Sequence, residues 1–169
     1  ASKNNNVYSR GGMVLQMLRV MLGEDVFWTA MKDYTQSHGK SLVRTIDFQQ
    51  SMEKISGQEL DWFFQQWVEL PHVPRVTVGS SYSDGTLKIT VKQSITDERP
   101  RYTIPFSVEV GTADGPVTHW ARLEDEDVEV SIPLPAAPTY VAFDPVGGVL
   151  SKLTHEQEPE EWAEQLASR

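Results

Sequence analysis

Residues 60–74 read Leu-Asp-Trp-Phe-Phe-Gln-Gln-Trp-Val-Glu-Leu-Pro-His-Val-Pro, and the apolar period of the chain changes across them. Leu60, Phe63, Phe64, Trp67 and Val68 are spaced i, i+3, i+4, i+7 and i+8, which predicts one wide apolar face of an α-helix. Phe63, Phe64 and Trp67 on that face read as core. Pro71 and Pro74 stop the helix and hold the following chain extended. Before this point the period is helical. After it the period is two and β-branched residues dominate. The expected fold class is therefore α+β, a helical subdomain followed by an antiparallel β-sandwich, with the start of a further C-terminal helix.

In the helical half, Met13, Val14, Leu15, Met17, Leu18, Val20, Met21 and Leu22 are interrupted only by Gln16 and Arg19. A helix apolar nearly all round is buried on more than one side. The residues that follow are too few to cover it, so neighbours from outside the chain are expected. Gly11 and Gly12 would permit close approach of another backbone. Phe27, Met31 and Tyr34 form the inner face of a second helix opened by Glu24 and Asp25. Thr45 suits the N-cap of a third, with Phe48, Met52 and Ile55 inward and Gly57 at its close.

In the β half, Leu87, Ile89 and Val91 alternate with Lys88, Thr90 and Lys92, and Tyr102 to Val110 alternate in the same way. Strands are also expected around Val76 to Val78, at Val117 to Leu123, Val128 to Leu134, Tyr140 to Phe143 and Val149 to Leu153. Turn signals such as Ser83-Asp84-Gly85 separate them, the pattern of a β-sandwich. Pro105 predicts an edge position or a bulge. Thr154 to Pro159 reads as a polar link, and Glu160 to Leu166 as the opening of another helix.

A net charge of −9 argues against nucleic acid or an anionic membrane surface as partner. No run of about 18 apolar residues is present to span a membrane. The absence of Cys removes disulfides, thiolate metal ligands and a Cys nucleophile. A start without Met, shortly before a strongly apolar helix, reads as a piece of something longer.

Metal chemistry finds no motif. His155-Glu156 is followed by Pro159 where a His-Glu-x-x-His helix needs its second His, and His38, His72 and His119 are isolated. No nucleophile elbow, phosphate loop or dinucleotide fingerprint occurs. Tyr8 remains, beside Arg10 at the start of the apolar helix. A phenol can donate a hydrogen bond to a developing oxyanion, although a Tyr in such a place also serves simply as packing.

Tyr8-Ser9-Arg10-Gly11-Gly12, the apolar helix after it, and Leu22-Gly23-Glu24 together resemble the aminopeptidase N family of zinc metallopeptidases, which has Tyr-Glu-Lys-Gly-Ala before such a helix. Tyr8 and Gly11 match, Arg10 replaces Lys, and Ser9 departs from Glu. Thr45 to Phe48, Ile55-Ser56-Gly57, Leu60 to Val68, Pro74 and Phe143-Asp144-Pro145 fit in order and spacing; His72 stands where Gly is usual. The resemblance implies that residues 1–72 are the C-terminal helical part of a thermolysin-like catalytic domain. It implies that residues 73–154 are the family's β-sandwich domain, and that residues 155–169 are a linker and the first helix of a following helical domain. It implies a zinc cofactor held by residues N-terminal to Ala1, with none bound by this chain. It also implies a peptide substrate, partners in the missing N-terminal and C-terminal domains, and Tyr8 as the one catalytic residue carried here. The chain alone would then be inactive. Two other readings stand beside this one: a non-catalytic relative serving as scaffold or interaction module, and a free-standing sandwich with a helical cap.

Overall fold

The computed structural model describes residues 7–39, 41–96 and 100–156. The chain divides into two units, Ala1–Pro71 and His72–Arg169. The expected helix over Glu160 to Leu166 lies outside the described residues.

The first unit is helical: α1 Val7–Leu22, α2 Glu24–His38, α3 Thr45–Ser56 and α4 Asp61–Phe64, which continues as a π-helix over Gln65–Glu69. Val14, Met17, Leu18 and Leu22 bury one stripe of α1, while Leu15 is exposed. Gly11 and Gly12 have no neighbour within 4 Å of a built Cβ, so no backbone approaches them among the described residues. Gly23 alone separates α1 from α2, at φ 84°, with its N–H on Arg19 O. Arg44 rather than Thr45 is the N-cap of α3, because Asp47 reaches back to accept its backbone N–H at 2.7 Å. Edge-on ring contacts run from Tyr34 to Phe48 at 5.1 Å, from Phe48 to Phe64 at 6.0 Å and from Phe64 to Phe63 at 5.7 Å. They tie α2, α3 and α4 into one aromatic core. The ends of these helices are held by side chains: Glu53 accepts the Leu60 N–H and a Gln49 amide proton, and Gln49 also donates to Asp61.

The junction helix departs from the regular face that its spacing predicts. Leu70 N–H donates to Gln65 O, five residues back, which marks the wider π-turn. The extra residue rotates the phase after Phe64. Leu60, Phe63, Phe64 and Trp67 are buried as expected, but Gln66 goes inward and Val68 is left 41% exposed.

The second unit has seven strands: β1 Arg75–Ser83, β2 Thr86–Gln93, β3 Ile104–Thr112, β4 Gly115–Leu123, β5 Asp127–Pro133, β6 Tyr140–Phe143 and β7 Lys152–Glu156. They form two sheets, ordered β5-β2-β1-β7 and β4-β3-β6. Val78 and Ile89 of one sheet share a small cavity with Val108, Val141 and Phe143 of the other, so the sheets face each other as a sandwich. Every pairing is antiparallel except β1 with β7, which is parallel. That pair closes a crossover from β6 in the other sheet. The last strand also begins and ends later than the expected Val149 to Leu153. All its residues are exposed, so backbone pairing to β1 holds it and no apolar alternation announces it. Pro105 lies in β3 where β4 pairs on one side and β6, opposite only Val108 to Gly111, has not begun on the other. Its missing donor therefore falls where the strand is locally an edge.

Two polar devices close the sandwich. Gln93 is buried, donates to Tyr102 O and Asp125 O, and accepts from Tyr102 N–H. Asp144, at φ 49°, accepts the N–H groups of Gly148 and Val149. Burial pushes its carboxyl up from the usual value, against the pull of those two bonds.

Candidate functional site

Tyr8 stands in the first turn of α1 with its side chain 91% exposed. Two residues on, roughly 200° around the helix axis, Arg10 extends the other way and reaches the far end of the junction helix. Its Nη2 donates to Trp67 O at 3.1 Å and to Leu70 O at 2.5 Å, its Nε to Trp67 O at 3.3 Å, and its Nη1 to Pro71 O at 3.1 Å.

The sequence explains why those carbonyls need a donor from elsewhere. In an α-helix, Trp67 O would accept from the N–H of residue 71, and residue 71 is proline, which has none. The guanidinium supplies it, and its charge suits the negative end of the helix. Sequence reasoning missed this clamp. Its signal was present in a proline four residues after a buried Trp.

Beside the clamp lies a cavity of about 640 Å³ in the helical unit, lined among others by Arg10, Val14, Tyr34, Phe48, Phe64, Trp67 and Val68. It is an aromatic cleft with a cation at its rim. Tyr8 does not line it.

The remaining sequence candidates do not assemble. His155 and Glu156 are consecutive on β7 and so point to opposite faces of a strand, not along one side of a helix. His38 ends α2, His119 lies on β4, and the carbonyl of His72 accepts the Tyr102 hydroxyl. Among the described residues no three His, Cys, Asp or Glu side chains gather as a metal site would require. No helix among them is long and apolar enough to cross a membrane.

Comparison with known proteins bears on the same region. Residues 3–67, which include Tyr8, Arg10 and the whole aromatic core, match the Peptidase family M1 domain. Aminopeptidase N of Escherichia coli is 32% identical over 118 residues, 66% of this chain and 13% of that protein. The chain is thus similar to the aminopeptidase N family. Transcription initiation factor TFIID subunit 2 of Gallus gallus is also similar, 27% identical over 110 residues, 62% of this chain and 9% of that one. The fold matches Legionella pneumophila aminopeptidase A, solved in complex with aspartic acid, with a TM-score of 0.75 at 15% identity. That match covers 92% of this chain and 18% of the other. The chain spans about an eighth of the length of the aminopeptidase N relative.

Proposed function

We propose that this chain is part of a zinc-dependent aminopeptidase that removes N-terminal residues from peptides, and that Tyr8 is its oxyanion-stabilising residue. The observation that carries the proposal is the exposed phenol in the first turn of α1, inside the segment matching the peptidase domain. On this reading residues 1–72 complete a thermolysin-like catalytic domain, 73–154 form its β-sandwich domain, and 155–169 lead into a helical one. Among the described residues no three His, Cys, Asp or Glu side chains gather, and on this reading the zinc ligands would lie N-terminal to Ala1. The exposed apolar side chains of the helical unit, Leu15, Trp28, Leu42, Val43 and Ile46, would meet those other domains.

As a peptide carbonyl becomes tetrahedral its oxygen gains negative charge. A phenol O–H held near that oxygen donates a hydrogen bond that strengthens as the charge grows. Binding that improves only toward the transition state raises kcat with little change in KM.

The test is Tyr8→Phe in the full-length protein. With metal content and fold unchanged, kcat should drop by on the order of 100–1,000-fold, equivalent to about 2.7–4 kcal/mol, with KM moving little. A variant with normal metal and near-normal kcat would leave Tyr8 as packing. The chain by itself should hydrolyse no aminoacyl reporter.

A second reading, a non-catalytic scaffold of the same architecture, is favoured by the relative that carries a transcription factor name rather than a peptidase one. A full-length sequence lacking a His-Glu-x-x-His pair and a downstream Glu would decide for it.

A further inference from the structure

We propose that Arg10 is the positioning residue for Tyr8, fixing the phenol through the carbonyls at the end of the π-helix. The inference rests on the catalytic reading of Tyr8. Four hydrogen bonds from one guanidinium tie the first turn of α1 to Trp67, Leu70 and Pro71. Trp67 is fully buried in the aromatic core, so the far end of the clamp is tied to packed residues of the unit. The near end is the opposite: Tyr8 is almost fully exposed, one residue into the helix, where helix ends fray. Nothing in the packing of an exposed ring would hold it in place. What orients it is the direction of its Cα–Cβ bond, set by the turn that Arg10 anchors.

The planar fork matters to this role. Three carbonyls arranged around one group require several donors in fixed directions, which guanidinium offers and ammonium does not. The proline at residue 71 makes the arrangement self-consistent: it ends the helix, withholds a donor from Trp67 O, and offers its own carbonyl to the same arginine. Positioning of this kind acts on kcat, because a displacement of about 1 Å at a catalytic group can cost on the order of 100-fold.

The experiment is a double-mutant cycle in the full-length protein with Tyr8→Phe, Arg10→Met and the pair, read as kcat and KM on an aminoacyl reporter. Arg10→Met should lower kcat by on the order of 10–100-fold with KM within about twofold. In that background Tyr8→Phe should cost less than about tenfold, because the misplaced hydroxyl has little left to lose. Arg10→Lys keeps the charge and part of the donor set; it should recover part of kcat and give an intermediate coupling. It also carries the test if the methionine variant does not fold. Equal Tyr8→Phe penalties in the wild-type and Arg10-variant backgrounds would overturn the positioning role and leave Arg10 as a structural clamp. A near-wild-type kcat for Tyr8→Phe alone would instead overturn the reading of Tyr8, and the role of Arg10 with it.

Discussion

The two units use their apolar residues differently. In β2 of the sandwich, burial follows the sequence alternation: Leu87, Ile89 and Val91 are buried, and Lys88 and Lys92 are exposed. In that strand the covered side chains are the ones its pattern says should be covered. In the helical unit the apolar pattern exceeds the burial. α1 is apolar on nearly every side yet buries only one stripe, and Leu42, Val43, Ile46 and Trp28 stand in the open. The unit that carries Tyr8 thus has apolar surface to spare, whereas the sandwich leaves apolar side chains open singly, at Ile95, Val117, Trp120 and Val146. The cores themselves are alike: Trp67 and Phe63 in one, Phe106 and Tyr102 in the other, all essentially inaccessible.

The largest expected effects test that likeness. Trp67→Ala and Phe106→Ala should each destabilise their own unit by about 3–5 kcal/mol, since each removes a fully buried ring. Urea unfolding followed by helical and by strand circular dichroism separates the two. A loss below about 1 kcal/mol for Trp67→Ala alone would mean that the helical unit has no tight core of its own.

A middle-sized effect sharpens the contrast on the polar side. Gln93→Ala should cost the sandwich about 2–3 kcal/mol, because it strands the buried N–H and C=O of Tyr102 and the carbonyl of Asp125. The same urea assay checks it. A cost under about 0.5 kcal/mol would show that water replaces the amide, and that the sandwich is less closed than its burial implies.

These sizes bear on what was legible in the sequence. The strands were legible because alternation and turn residues are local signals, and both are strong here. β7 begins later than the apolar residues Val149 to Leu153 indicate, because its own residues are exposed and only backbone pairing defines it. Gln93 was invisible as a clip: a polar residue at a strand end looks solvated until the chain returns with Tyr102 and Asp125. For the site, the residues alone offer Tyr8 as an ambiguous phenol; the role proposed for it comes from the order of the motifs around it. The Arg10 clamp needed the tertiary approach of residues 67–71 to residue 10, and no local pattern contains that.

The junction helix offers the smallest prediction and the most direct one. Regular α-helical spacing puts Val68 beside Leu60, Phe64 and Trp67 and leaves Gln66 outside. The π-turn reverses the two: Val68 is 41% exposed and Gln66 is buried. Fully burying a Val is worth about 1.5–3 kcal/mol, so the two geometries differ measurably. On the π-helix, Val68→Ser should change stability by less than about 0.5 kcal/mol, as exposed substitutions do. Gln66→Ala should cost more, because it removes a buried polar side chain from its partners. On a regular helix the ranking inverts. Urea midpoints of the two variants therefore read the helix type without a structure. If Val68→Ser costs more than Gln66→Ala, the turn is α-helical, Trp67 O points elsewhere, and the carbonyls on which Arg10 closes are no longer presented to it.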